Sequence, residues 1–140
     1  MIAGDARDCS WLREIKESSS AIVIMEGVSM YLTTDEMRNL ADSLCAHFES
    51  ISLLVDCYTT LAARMSSKYK NPINDVGVTK VYGIDDLTSY EIGRFTFIKE
   101  HNMTPQRYID ELRGSERFVF AKLYAGSFSK KLYRLFEYKK

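Results

Sequence analysis

Cysteine and histidine are scarce in this sequence, glycine forms no cluster, and net charge is absent. Its three cysteines, Cys9, Cys45 and Cys57, match no zinc-ligand spacing, and an odd count makes a poor disulfide framework, so reduced thiols in a cytoplasmic protein are expected. Seven glycines form no G-x-G pair. No stretch approaches the roughly 20 consecutive apolar residues that a membrane helix requires. The opening MIAGDARDCSW lacks the apolar centre of a secretion signal, so no membrane partner is expected. Lys plus Arg is 19 and Asp plus Glu is 19, a formal net charge of zero, which argues against a nucleic-acid binder living on counterion release.

What is present is a core. The chain has 140 residues, 46% hydrophobic and 27% charged, and a chain of that length buries roughly two-thirds of the surface its unfolded form exposes. A single domain over residues 1–140 follows. The charge is uneven: residues 1–70 carry 7 basic and 10 acidic side chains, residues 71–140 carry 12 and 9, and the basic excess gathers after Arg113. That end reads as a solvated basic face.

The pattern predicts a short helix over 8–17, with Trp11, Leu12 and Ile15 on one face behind an acidic cap. Ala21-Ile22-Val23-Ile24-Met25 is a continuous apolar run, as in a strand buried on both faces of a parallel sheet. Met37, Leu40, Ala41, Leu44, Cys45 and Phe48 then recur at helical spacing behind Thr33-x-x-Glu36, a capping box. Ile51 to Val55 is a second apolar run. Strand, helix, strand at this spacing suits a right-handed crossover with parallel strands. Residues 60–68 suit another helix, 68–82 a loop, 83–91 one or two helical turns, and 94–100 a strand with Phe95 and Phe97 on one side. Thr104-Pro105 reads as an N-cap before a helix that Gly114 ends, 116–124 as a further helix, and 131–138 as an edge-type strand. The fold class is α/β, with a parallel pair and an antiparallel C-terminal strand pair.

In open α/β sheets ligands bind at the carboxyl ends of the strands. Asp5 and Glu26 fall at or near such places, and Asp56 ends the second apolar run, where it either lines a pocket or caps a helix. Glu26 interrupts an apolar run before glycine. A carboxylate buried there requires a ligand, a neighbouring donor or the backbone N–H groups of the next turn. His47 reads as a surface or capping residue and His101 as part of a polar turn, neither catalytic nor metal-ligating. Cys45 and Cys57 read as small core hydrophobes, and the nine tyrosines and seven phenylalanines as core and edge filling.

Glu26-Gly27-Val28-Ser29-Met30-Tyr31-Leu32-Thr33, followed by Asp35-Glu36, resembles the motif that ends the fourth strand of the leucine carboxyl methyltransferase superfamily, above all its tetracenomycin-type polyketide O-methyltransferase branch. Asp5-Ala6-Arg7-Asp8 with Trp11, and Tyr82-Gly83-Ile84-Asp85-Asp86, are similar to two further segments of that family, so the likeness runs along nearly the whole chain. It implies the C-terminal half of a class I S-adenosylmethionine-dependent methyltransferase, a partial Rossmann-like sheet acting on a carboxyl or hydroxyl of a small molecule. In that likeness Asp5 and Ala6 contact the adenine end of the donor, Glu26 and Gly27 lie beside its polar groups, and Tyr31 lines the acceptor pocket. No residue is implied as a general base, because a carboxylate acceptor is already ionised at neutral pH.

The family's first strand, glycine-rich loop and ribose-holding acidic residue have no counterpart here. Weak or absent donor binding by a single chain is therefore expected. The sequence fits an excised piece of a longer enzyme, a shortened gene product, or a half-domain completed by another chain. An open sheet edge predicts a homo-oligomer. The alternative function is a catalytically silent interaction module that kept the sheet and lost the donor site.

Overall fold

A computed structural model describes residues 2–16, 19–68, 80–86, 93–125 and 127–140. Their strands form one four-stranded sheet: β1 (Ser20–Met25), β2 (Ser50–Tyr58), β3 (Thr96–His101) and β4 (Tyr133–Lys139), in spatial order β1-β2-β4-β3. β1 and β2 are parallel from Ser20 opposite Ser50 to Met25 opposite Val55, as the two apolar runs predict. β4 runs antiparallel to both β2 and β3.

The connection between the parallel strands is α1 (Thr34–His47). Its capping box is complete: the Glu36 N–H donates to Thr33 Oγ1 at 3.2 Å, and the Thr33 N–H donates to Glu36 Oε2 at 2.7 Å. Met37, Leu40, Ala41, Leu44 and Cys45 turn inward from it. They meet Ile51, Leu53, Val55 and Cys57, the alternate residues of β2 that face the same side, together with Phe136 and Tyr138 of β4. Cys45 and Cys57 are thus core residues, as expected. The segment 8–17 supplies a 3-10 helix, Cys9–Glu14, whose Asp8 accepts the Ser10 N–H at 3.0 Å and whose Leu12 is buried. His47, in the last turn of α1, lies 3.2 Å from the Ile15 carbonyl and ties that segment to the helix.

Two expectations about strand burial are corrected. β1 is covered on one face only: Ala21, Val23 and Met25 pack toward α1, whereas Ile22 and Ile24 are 75% and 70% exposed. An apolar run identifies a strand but carries no information about what covers its second face. Conversely, 133–139 is an inner strand rather than an edge. It bonds on both sides, and its aromatic residues are core plugs, Phe136 fully buried and Tyr138 nearly so, with Phe97 set edge-on to both rings. Among the described strands the edges are β1 and β3.

After β2 comes α2 (Thr60–Lys68), where a helix is expected. Much of the predicted loop (69–79) and part of the predicted helical turns (87–91) lie outside the described residues, and 83–86 is not helical. There the chain crosses the ends of the strands: the Tyr82 N–H donates to Met30 O at 2.8 Å, and the Ile84 N–H to Tyr58 O at 2.8 Å. Gly83 is required by this crossing, because a Cβ would fall 2.6 Å from the Thr59 carbonyl carbon.

Beyond β3 lie α3 (Gln106–Glu111), α4 (Gly114–Val119), a π-helical turn (Phe120–Tyr124) and α5 (Ser127–Lys130). Pro105, not Thr104, occupies the cap position of α3, without a side-chain cap bond. Leu112 ends that helix, and Gly114, at φ +57°, opens the next one instead of closing the first. His101 is not in a turn. It is the last residue of β3, and its Nε2 is 2.8 Å from Glu137 Oε2 on β4.

Candidate functional site

The parallel pairing of β1 and β2 places their carboxyl ends side by side. Met25 stands opposite Val55, so Glu26 and Gly27 emerge next to Asp56. Asp56 belongs to the face of β2 turned away from α1, and it is 4% exposed. Its Oδ2 accepts the Gly27 N–H at 2.7 Å and the hydroxyl of Tyr133 from β4. Its Oδ1 is buried without a hydrogen-bond partner among the described residues. A buried carboxylate with one satisfied oxygen is an unusual arrangement in a folded protein.

Around it the chain gathers hydroxyls. Ser29, in the 3-10 turn Ser29–Tyr31, donates its hydroxyl to the Asp56 carbonyl and lies 3.6 Å from Cys57 Sγ. Tyr58 is set edge-on to Tyr133, ring centroids 5.4 Å apart at 74°. Burial raises the pKa of Tyr133, and Asp56 raises it further by accepting its proton in a hydrogen bond and through its charge, with smaller contributions from Tyr58 and Glu26. Burial also raises the pKa of Tyr58, with the nearby Tyr31 adding to the effect. The Cys57 thiol is pushed up to about 11, chiefly by burial. These groups stay protonated at neutral pH, and none is an activated nucleophile.

Of the residues expected to form a site, Glu26, Gly27 and Tyr31 are brought to this strand-end cluster. Glu26 itself is exposed, so it does not need the buried-carboxylate partner expected for it, and the Gly27 N–H turns to Asp56 instead. The costly buried carboxylate is Asp56. Nor does Asp56 cap a helix: Thr59 Oγ1 accepts from Ala62 N–H, and Asp85 accepts from Thr60 N–H, at the start of α2.

Asp5 and Ala6 have other surroundings. Both Asp5 carboxylate oxygens are held by Arg7, between 2.6 and 3.1 Å, which draws the Asp5 pKa down to about 2. The Asp5 carbonyl accepts from Asp8 N–H and Trp11 Nε1. Ala6 packs against the core. The charges of Asp5 and Arg7 are felt at Glu36, at the start of α1. Among the described residues no hydrogen bond or ion pair links Asp5 or Ala6 to Glu26.

Tyr58 and Tyr133 are the site residues that sequence reasoning passes over as filling. One signal was available: each sits at a strand end in a sequence that also holds an acidic residue at the end of β2. No group of three or more His, Cys, Asp or Glu able to hold a metal occurs among the described residues. Gly27, at φ +67°, has no atom of the described residues within 4 Å of the position a Cβ would take, which leaves its backbone open to close approach among them. The arrangement offers carboxylate oxygens, phenols and an accessible glycine backbone, a set suited to a ligand with cationic or hydroxyl groups. No family model, no curated protein and no solved structure matches the chain.

Proposed function

We propose that the chain is the C-terminal half of a Rossmann-like S-adenosylmethionine-dependent O-methyltransferase sheet, with the donor's polar groups lying along the carboxyl edge of β1 and β2. The observation that carries this reading is the parallel β1–β2 register, which sets exposed Glu26, open Gly27 and buried Asp56 at one strand end. The antiparallel β3–β4 pair supports it. The residues suit the donor: Asp56 Oδ1 has no hydrogen-bond partner among the described residues, Glu26 faces solvent, and both carboxylates favour a sulfonium cation, an ammonium group or sugar hydroxyls. Glu26 and the Gly27 backbone would hold the donor, and Tyr31 would face the acceptor. When bound, S-adenosylmethionine supplies an already activated methyl group. The protein's own part is to align the acceptor oxygen for in-line displacement and to place negative charge near the cation.

A single chain binds this donor weakly, with a dissociation constant on the order of a millimolar, about −4 kcal/mol. Calorimetric titration with S-adenosylhomocysteine tests it. Binding in that range that weakens at least about tenfold in Glu26→Ala, a loss of ~1.4 kcal/mol, is the expected result. Heat indifferent to the substitution overturns the donor reading, and no heat at millimolar ligand favours the silent module over it.

One observation favours the second reading, a catalytically silent interaction module. Among the described strands β1 is an edge, with Ile22 and Ile24 exposed, and a groove beside it is lined by Trp11, Ile15, Lys16, Leu44 and Phe48. An uncharged edge strand of this kind pairs readily with another. Self-pairing predicts a homodimer by light scattering that Ile24→Lys converts to monomer; a wild-type monomer at high protein concentration rejects it.

A further inference from the structure

α4 runs directly into the π-helical turn, α5 follows in sequence, and no described residue of these three elements is buried. Yet the stretch is rich in large apolar groups: Phe118, Phe120, Leu123, Tyr124 and Phe128 are all exposed, between 37% and 66%. Clustered exposure of this kind marks a binding surface more often than chance. Some of these side chains are gathered into a pocket of about 380 Å³, lined by Met103, Leu123, Tyr124, Phe128, Leu132 and Tyr133, with Ser129 beside them. That volume lies within the roughly 300–1,000 Å³ of small-molecule sites.

The composition of the wall selects its occupant. Among the described residues it holds no Lys, Arg, His, Asp or Glu, and its polar side chains, Ser129 and the two tyrosines, are neutral. Burial in such a wall costs a charged ligand its hydration without repayment, whereas a flat apolar ligand gains on both counts. The π-helical turn contributes Leu123 and Tyr124, and such turns are frequent at functional sites. Tyr133 joins the pocket to the strand-end cluster, since its ring forms part of the wall while its hydroxyl is bound to Asp56.

We propose that this pocket binds a neutral, largely apolar small molecule, held by Leu123, Tyr124, Phe128 and the Tyr133 ring. The inference stands without the donor reading. If that reading holds, it deepens it, because a wall without a cation favours a hydroxyl-bearing acceptor over a carboxylate.

The test uses 2-naphthol as a neutral probe and 2-naphthoate as its charged counterpart, titrated by calorimetry and by protein NMR shifts. 2-Naphthol is expected to bind at least tenfold tighter than 2-naphthoate. Leu123→Asp, which places a charge in the wall at a residue already 46% exposed, should reduce binding at least tenfold, and Phe128→Ala at least threefold. Met65→Ser, which removes an exposed apolar group from α2, should leave it unchanged. Equal binding of the two probes, binding indifferent to Leu123→Asp and Phe128→Ala, or an equal loss in Met65→Ser overturns the proposal. Retained thermal unfolding of each variant separates loss of the pocket from loss of the fold. The outcome is independent of S-adenosylhomocysteine titration, so either reading can fail alone.

Discussion

Replacing Tyr133 with Phe removes a single oxygen and tests whether the buried carboxylate depends on it. Asp56 is 4% exposed, and one of its oxygens carries both of its described side-chain bonds, from Gly27 N–H and from Tyr133. Tyr133→Phe keeps the ring and its edge-on contact with Tyr58. What is lost is a hydrogen bond to a charged acceptor, about 1.5–3 kcal/mol when the acceptor stays buried. For a chain of this size that is a fall in Tm of roughly 5–12 °C. Urea unfolding of wild type, Tyr133→Phe, Asp56→Asn and the double variant closes a cycle whose coupling should be about 1 kcal/mol or more. The pH dependence supplies an independent check. The Tyr133 pKa is raised in the folded protein, so the folded state holds the proton more tightly than the unfolded chain. That contribution is fully present below about pH 10 and is lost as pH climbs through the folded value. Tyr133→Phe should flatten the alkaline limb in part, leaving the share due to Tyr58, Tyr138, Cys45 and Cys57, whose pKa values are also raised. A variant within about 0.5 kcal/mol of wild type, or a cycle with no coupling, refutes the claim that Tyr133 supports Asp56.

Two glycine substitutions should differ for reasons of space alone. Gly83→Ala forces a methyl against the Thr59 backbone and should cost about 1–3 kcal/mol with local displacement of 82–84, whereas Gly27→Ala meets open space and should cost only the ~1–2 kcal/mol of its left-handed φ; chemical denaturation that ranks Gly27 above Gly83 contradicts this. Glu137→Gln should flatten the acid limb of the stability curve: the bond with His101, aided by Lys99, lowers the Glu137 pKa, so its contribution is present above the ordinary carboxylate range and disappears as pH falls through the lowered value. Thiol alkylation followed by mass spectrometry at pH 8 should label half-buried Cys9 first, because Cys45 and Cys57 are buried and burial pushes both of their pKa values up; early labelling of Cys57 contradicts the packing described.

Local grammar was legible in the sequence and context was not. The capping box of α1 and its apolar stripe depend on neighbours three and four residues away, so spacing alone revealed both. The parallel pair followed from two apolar runs and the helix between them. What covers a strand is a different kind of fact, set by segments far off in the chain. Ile22 and Ile24 read as buried and are exposed, whereas Tyr138 read as part of an edge strand and is buried between β2 and β3. The same limit acted on the candidate site. Glu26 stood out because its neighbours in sequence are apolar, yet it faces water. Asp56 carries the electrostatic cost because Tyr133, 77 residues later, closes over it.

That long-range closure also explains why strand-end chemistry and the apolar pocket should be considered together. β4 inserts beside β2 in antiparallel register, which puts Tyr133 opposite Tyr58, at the carboxyl end of β2. From that position one side chain has two surroundings: its hydroxyl is committed to Asp56 and its ring to a wall that includes Leu123, Tyr124 and Phe128. A molecule filling the pocket excludes water from the ring side of Tyr133, and a weaker competition from water strengthens the hydrogen bond to Asp56. The 2-naphthol probe should therefore raise the Tm of wild type by more than that of Tyr133→Phe when both are measured at saturating probe. Equal increments would mean that the pocket and the buried carboxylate are neighbours without being coupled.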